Sequence, residues 1–183
     1  WHDAGILSGI RITTANGFEL SATPEHRVWV KTRDGKEKWK SLGDMDGSEL
    51  AAIAVGVADW GAWESSPGVI RILATVCGGK SPKNDSLQRW LDEFCGEPVY
   101  PGRMPSCVCR ASPMTAALLI DQMFFDIDNG QKKFSDKFFC QQIQAMGLGV
   151  GYYIRLIETD EGDFCVEMLD QWPRTKFHWE PLA

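Results

Sequence analysis

The segment Ser21–Val30, SATPEHRVWV, places a threonine and a histidine three positions apart, at a turn between two strand-like runs. A histidine has an ordinary pKa of about 6.5, so His26 could donate and recover a proton at neutral pH. Pro24 fixes one backbone dihedral between Thr23 and His26 and would present both side chains together. Taken alone, the turn also fits a surface or capping histidine, so a catalytic role and a structural role for His26 are both open.

The other residues that could do chemistry are the six cysteines. Two of them form a Cys-x-Cys pair, Cys107 and Cys109. With Cys77 and Cys95 they could supply four thiolates to a metal ion. However, a single intervening residue gives less reach than the spacing of a zinc knuckle, and no Cys-x-x-Cys occurs. The spacing therefore favours reduced structural thiols over a metal site or a disulfide scaffold.

The composition limits the class of protein. The 183 residues are 44% hydrophobic and 24% charged, which is typical of a folded globular chain. No apolar run reaches the roughly 18 residues of a membrane span, and the N-terminus has no basic region before a long apolar one, so we expect a cytoplasmic protein without a membrane partner. The formal net charge of −6 opposes extensive phosphate contact, because such contact depends on Lys and Arg.

Residues 9–41 carry the signals of short β-strands joined by tight turns. GIRITT and FELSA alternate apolar and polar residues around Asn16-Gly17, a dipeptide typical of two-residue hairpin loops. A second turn signal, Asp34-Gly35, separates RVWVK from KEKWK. An apolar strand-like run follows at residues 50–57, and the stretch 60–67, rich in Gly, Trp, Ser and Pro, indicates a domain boundary.

Beyond residue 67 the spacing of the apolar residues becomes helical. Four segments have this character: SPGVIRILATVCGG, DSLQRWLDEFCG, SPMTAALLIDQMFFDIDNG and SDKFFCQQIQAMG. Ser112 is predicted to cap the third helix, with Pro113 in its first turn, and the fourth is predicted to lie between Ser135 and Gly147. The segment GYYIRLIETDEGDFCVEML then predicts two strands around a turn at Asp160–Gly162.

The N-terminal strands and turns resemble the N-terminal splicing part of an intein, a member of the Hint-fold family. That family has a strand ending in threonine, two residues, a histidine and a second strand. A tryptophan-containing segment then leads through Leu and Gly into another strand. Thr23 and His26 fall on the first pattern, and the resemblance covers about residues 5–54. The second pattern falls on Trp39, Leu42, Gly47 and Leu50.

The resemblance implies autocatalytic protein splicing, in which a peptide bond isomerises to an ester or a thioester. This acyl shift requires weaker amide resonance and a proton for the departing nitrogen. The family role implies that His26 supplies the proton, while the Thr23 hydroxyl holds the scissile carbonyl or amide. No cofactor is implied for splicing, and the partners are the flanking host segments, the exteins, together with the remaining parts of the intein.

LLIDQMFFDIDNG resembles a LAGLIDADG helix, the signature of the homing endonucleases inserted in many inteins. In that family two such helices pack together, and each delivers an acid that holds Mg²⁺ over a DNA phosphate. Asp128 falls on the metal-binding acid, and Asp126 is the second carboxylate of the segment. The alternative for Asp126 and Asp128 is a core helix with an acidic C-terminal end.

Departures from this pattern predict a degenerate endonuclease. Met123 and Asn129 stand where the family usually has glycine, and Met123 would impede close helix contact. The other candidate helix, VIRILATVCGGKS, offers Gly78 or Gly79 where an acid belongs. About five residues separate the next helix from Gly130, which leaves no room for the hairpin that reads DNA. Together with the net charge of −6, these departures disfavour a DNA partner, and Mg²⁺ is expected only if the endonuclease part is active.

The sequence thus predicts a mainly β Hint (intein) splicing domain with an inserted α/β LAGLIDADG-like domain. The predicted boundaries are 1–60 for the N-terminal splicing part, 61–174 for the insertion and 175–183 for the start of the C-terminal splicing part. The family's junction residues, a leading Cys or Ser and a terminal His-Asn, are expected to come from outside this sequence. Two alternatives stay open: a homing-type DNA-binding or DNA-cleaving module, and a Hint-like interaction domain without activity.

Overall fold

A computed structural model of the chain describes residues 8–54, 61–125, 131–169 and 177–183. The chain divides into two compact units. Unit 1 comprises residues 1–55 and 174–183, and unit 2 comprises residues 56–173. Unit 1 is therefore built from two segments that are separated in sequence by all of unit 2.

The secondary structure alternates from strands to helices and back to strands along the chain. The strands are β1 (Ile10–Thr13), β2 (Glu19–Ala22), β3 (Arg27–Lys31), β4 (Glu37–Ser41), β5 (Leu50–Ala54), β6 (Gln131–Phe134), β7 (Tyr153–Glu158), β8 (Phe164–Leu169) and β9 (Phe177–Pro181). The helices are α1 (Pro67–Cys77), α2 (Asp85–Cys95), α3 (Pro113–Phe124) and α4 (Lys137–Val150), with short 3₁₀ turns at Leu42–Asp44 and Val108–Arg110.

Unit 1 consists of the β1–β2 hairpin and an antiparallel sheet with the strand order β4-β3-β5-β9. The terminal strand β9 pairs with β5, and Ala51 lies opposite Glu180. Just beyond β9, Leu182 forms a bridge with Thr14 at the end of β1. The C-terminal segment therefore contacts both the sheet and the hairpin.

Three tight turns share one hydrogen-bonding pattern. They span Thr14–Phe18, Thr32–Lys36 and Thr159–Asp163. In each, the threonine N–H donates to the carbonyl four residues later, and a glycine N–H donates back to the threonine carbonyl. The glycines have φ values of 80 to 83°, the left-handed region that glycine enters without steric cost. Asn16-Gly17 therefore belongs to a three-residue loop, and the prediction of a two-residue loop was wrong.

Unit 2 packs its helices against an antiparallel sheet with the strand order β6-β8-β7. Its core is apolar and draws on every helix, and its fully buried side chains include Ile70, Leu73, Leu91, Leu119, Ile120, Phe139, Ile143 and Ile154. None of the helices in the described ranges is long and apolar enough to cross a membrane.

The first three helices begin as their sequences indicate. The Ser112 hydroxyl accepts a hydrogen bond from the Thr115 N–H, and Pro113 occupies the first turn of α3, which confirms that prediction. Ser66 caps α1 in the same way, and Asn84 caps α2. These caps satisfy N–H groups that have no partner inside the helix.

The bounds predicted for α4 were wrong at both ends. Its cap is Asp136 and not Ser135. The Asp136 carboxylate accepts hydrogen bonds from the N–H groups of Phe138 and Phe139. The helix continues through Gly147 to Gly151, whose φ of 91° ends it. Gly147 lies inside the helix, and the side chain of Ile154 occupies the space that a Cβ at this position would need.

Two further features of unit 2 concern the predicted departures from the LAGLIDADG pattern. The short link after Gly130 contains the strand β6, which pairs with β8 and places Phe134 opposite Phe164. Met123 is 3% exposed and lies in the core to which α1 and α3 both contribute. A methionine at this position therefore does not prevent the two helices from packing.

Candidate functional site

The Thr23–His26 segment is a β-turn with a rigidly held backbone. The His26 N–H donates to the Thr23 carbonyl at 3.0 Å, and Pro24 supplies the fixed φ that favours such a turn. The 3₁₀ turn at 42–44 supports it, because the Leu42 N–H donates to the His26 carbonyl and the Gly43 N–H donates to the Pro24 carbonyl, both at 2.9 Å. A Cβ at Gly43 would lie 3.2 Å from the Pro24 Cβ, so a larger residue would crowd this contact.

The side chains of this turn differ in burial. Thr23 is half-buried and His26 is exposed. Within the described ranges, neither side chain makes a hydrogen bond or an ion pair. The turn therefore fixes the two backbone positions and leaves the imidazole accessible to a group brought to it.

A buried ion pair holds the loop that carries the supporting 3₁₀ turn. The Lys40 ammonium contacts a carboxylate oxygen of Glu49, and the Asp46 N–H donates to the other oxygen at 3.3 Å. The Glu49 side chain is 2% exposed. The hydrogen bond to Glu49 raises the pKa of Lys40, although burial opposes the rise. This ion pair joins Lys40, which precedes the 3₁₀ turn, to Glu49, which follows it, and so holds the segment between β4 and β5 in place.

A second ionisable cluster joins the first hairpin to the terminal strand. The carboxylate of Glu180 is completely buried, and the Asn16 side-chain amide donates to its two oxygens at 2.8 and 3.1 Å. The Nε2 of His178 lies 2.7 Å from the same carboxylate. Because His178 and Glu180 are two residues apart on β9, strand alternation places them on one face.

His178 is a candidate proton-transfer residue that the sequence analysis did not select. Burial lowers the pKa of His178 below its ordinary value, and the neighbouring Glu180 opposes this shift. The imidazole is therefore mainly neutral at pH 7. The sequence contained a signal, His-Trp-Glu with period-two spacing, but its meaning depended on knowing that β9 is a strand with one buried face.

Asn16 and the Thr23–His26 turn lie at opposite ends of the β1–β2 hairpin. Asn16 belongs to the closed end, whereas Thr23 follows the last residue of β2. At about 3.3 Å per residue, these ends are about 20 Å apart along the hairpin. The hairpin thus separates the Thr23–His26 turn from Asn16.

The predicted endonuclease acids, Asp126 and Asp128, fall outside the described residues, and so does the proposed Mg²⁺ ligand set. Among the residues described, there is no group of three or more His, Cys, Asp or Glu side chains that could hold a metal ion. The helix α3 that leads to these acids ends at Phe124.

The C-terminal end of α1 carries a glycine and a nearby cation. Gly78 caps α1, and the Lys132 ammonium occupies the space that a Cβ at Gly78 would need. The same ammonium donates to the carbonyl of Met123, near the end of α3, at 3.5 Å. A positive charge at the carbonyl ends of two helices is electrostatically favourable.

The cysteines are free thiols, and Cys109 is the exposed one. Of the four that the sequence grouped, Cys77, Cys95 and Cys107 are buried. Burial raises the pKa of Cys77 and of Cys95 to about 12. Both are therefore protonated at neutral pH and poor nucleophiles.

Comparison with known proteins adds no relative. No protein-family model matches the chain, and no curated protein matches it at a significant level. The family resemblance of the turn and of the α3 segment is therefore a prediction made on their residues alone.

Proposed function

We propose that unit 1 is the splicing domain of an intein and that unit 2 is an insertion with a degenerate LAGLIDADG character. The pairing of β5 with β9 carries this proposal. These strands lie on either side of unit 2 in the sequence but are neighbours in one sheet, so unit 2 interrupts a domain that is otherwise continuous. An inserted second domain is the organisation that the resemblance implies.

In the proposed reaction, a side-chain nucleophile at the splice junction attacks the preceding carbonyl. The nucleophile loses its O–H or S–H proton as a carbon–oxygen or carbon–sulfur bond forms. The carbon–nitrogen bond breaks, the nitrogen takes a proton from His26, and the proton lost by the nucleophile restores His26. Thr23 positions the carbonyl or amide by hydrogen bonding. The fixed backbone of the turn supports these roles, because it holds Thr23 and His26 in place for a peptide bond that is brought to them.

The endonuclease reaction is not part of the proposed function. Gly78 stands at the end of α1 where the resemblance requires an acid, and a lysine ammonium lies against it. A cation at this place would oppose Mg²⁺ binding by charge repulsion. We place the splicing reaction in the cytoplasm, with host exteins as its substrates.

The test supplies the chain with the remaining intein termini, including a leading cysteine and a terminal His-Asn, and joins it between two reporter proteins. We expect cleavage at the N-terminal junction, and His26→Ala should slow it by about a hundredfold or more, the usual contribution of a general acid. Glu25→Ala, an exposed neighbour in the same turn, is the control and should cleave at the parent rate. Equal cleavage by His26→Ala and the parent would remove His26 from the mechanism.

A second candidate function is an interaction domain without activity. The exposure of His26 and the lack of a hydrogen bond to its side chain in the described structure favour this alternative. The same reporter assay separates the two, because an interaction domain would stay intact in every reporter while its circular dichroism showed a folded protein. A third candidate is a DNA-binding module. A gel-shift experiment at low salt that shows no DNA binding would exclude it.

A further inference from the structure

One face of the sheet in unit 1 carries three tryptophans. Trp29 on β3 lies directly opposite Trp39 on β4, with ring centroids 5.3 Å apart in an edge-to-face arrangement. The Lys31 ammonium reaches across β5 and lies 5.7 Å from the ring centroid of Trp179 on β9. These contacts show that the four side chains share one face. We call this the tryptophan face, and it consists of Arg27, Trp29, Lys31, Trp39, Ala52 and Trp179.

The tryptophans of this face are partly or largely exposed to solvent. The Trp39 side chain is 59% exposed, and Trp29 and Trp179 are half-buried. Ala52 lies opposite Trp179 in the register, so a small residue separates two large indoles. Neighbouring strands lie about 4.8 Å apart, which puts Trp29 and Trp179 about 10 Å from each other. Contiguous exposed apolar surface rimmed by polar residues is a mark of interaction sites.

The charge of this region is opposite to that of the whole chain. The β3–β4 segment, residues 27–41, has six basic and two acidic residues and thus a formal charge of +4, whereas the chain carries −6. Lys40 is committed to Glu49, and Lys36 lies 2.6 Å from Asp34. No ion pair is seen for Arg27, Lys31, Arg33 or Lys38 within the described part of the chain.

We propose that the tryptophan face binds single-stranded nucleic acid. Bases stack on the exposed indole of Trp39 and its neighbours, and phosphates pair with Arg27, Lys31 and Arg33. Stacking on aromatic side chains beside a positive groove is the general mode of single-strand binding and does not depend on base sequence. An acidic peptide would satisfy the charges and leave the indoles unused.

The net charge of −6 does not decide against this surface. At physiological ionic strength, charges further away than about 8 Å are largely screened, so the cations of the β3–β4 segment that are unpaired within the described residues, Arg27, Lys31, Arg33 and Lys38, govern contact with phosphates. The activity is separate from splicing, because it uses the open face of the sheet and not the Thr23–His26 turn.

The experiment measures binding of a fluorescein-labelled 15-nucleotide oligothymidylate to the full chain by anisotropy and by quenching of tryptophan fluorescence. We expect saturable binding at low salt, with log K falling against log salt at a slope of about −2, as for three phosphate contacts on a single strand. Trp39→Ala should weaken binding about tenfold, the effect of one lost stacking contact, and Trp39→Phe should restore part of it.

Matched controls make the result specific to this face. Trp90, a 40% exposed tryptophan of unit 2, is the aromatic control, and Trp90→Ala should bind as the parent does. Arg27→Ala should reduce the salt slope, whereas Lys83→Ala, an exposed lysine of unit 2, should not.

Four outcomes would overturn the proposal. They are no binding at low salt, equal weakening by Trp90→Ala and Trp39→Ala, competition by polyglutamate as strong as by unlabelled oligothymidylate, and equal affinity for a duplex of the same length. Sedimentation would show whether Trp39→Ala instead dissociates a dimer, which would assign the face to self-association.

Discussion

The two units bury different kinds of side chains. Unit 2 has a large apolar cluster to which all four helices and three strands contribute. In unit 1 the buried apolar residues among those described are Val30, Leu42 and Ala51, and an equal number of polar residues is buried beside them, namely Thr14, Glu49 and Glu180. Trp29 and Trp179 of unit 1 are half-buried, and Trp39 is mostly exposed.

This difference shows how each unit is stabilised. Apolar burial is non-directional and spread over many contacts, so unit 2 depends on close packing. Unit 1 depends on strand pairing and on a few buried polar groups, each of which needs its own partner. A substitution should therefore act through volume in unit 2 and through lost partners in unit 1.

The largest expected effect is a cavity in unit 2. Phe139 is 1% exposed and packs edge-to-face on Phe134, with ring centroids 4.9 Å apart. Phe139→Ala should lower the free energy of unfolding of unit 2 by about 3 to 5 kcal/mol. Native-state hydrogen exchange of α4 and β7 amides measures this locally. Phe138→Ala is the control, because Phe138 is adjacent on the same helix and 66% exposed. Equal losses in the two variants would refute the packing account.

An intermediate effect is expected from the buried pair of unit 1. Lys40→Met removes the cation from Glu49, which is 2% exposed, and should cost about 2 kcal/mol because a buried carboxylate loses its partner. Exchange of β5 amides is the measurement. Lys36→Met is the control: its pair with Asp34 is exposed and should contribute nothing measurable. Stabilisation by Lys40→Met would mean that the pair costs more in desolvation than it contributes.

The smallest effect is a dependence on pH. The pKa of His178 is lower in the folded state than its ordinary value of about 6.5, so the unfolded chain binds more protons near that pH. The contribution of His178 to stability is therefore complete above pH 6.5 and is lost as the pH falls below it. The side chain is 35% exposed, and solvent screening should limit the loss to less than about 1 kcal/mol.

The measurement compares denaturant unfolding of the parent and of His178→Gln at pH 7.5 and pH 5. The parent should lose more stability than the variant on acidification. If the variant loses as much, another group is responsible for the dependence.

Much of the local structure could be predicted because its causes lie within a few residues. Ser112 and Pro113 start α3 through contacts inside one turn, and the glycine turns follow from the freedom of φ at that residue. The bounds of α4 were misplaced because Asp136 competes with Ser135 as a cap, and because Gly147 serves packing against Ile154 instead of ending the helix. Both ends of α4 therefore depend on contacts that the spacing of apolar residues does not reveal.

The candidate site divides in the same way. The sequence located Thr23 and His26 at a turn, and the structure added its support by Leu42 and Gly43. His178 and Glu180 were missed, because their cluster requires β9 to pair with a strand more than a hundred residues earlier. No local pattern encodes such a pairing.

By itself, the sequence determined the cap of α3, the positions of the tight turns, the alternation that places Trp29 and Lys31 together, and the negative overall charge. Each of these depends on residue type and on spacing over one turn or one strand. The tertiary structure alone decided that β9 completes the sheet beside β5, that Glu180 is buried against Asn16 and that Trp39 is exposed. Burial and long-range pairing are properties of the folded chain as a whole, because they depend on which surfaces the other segments cover.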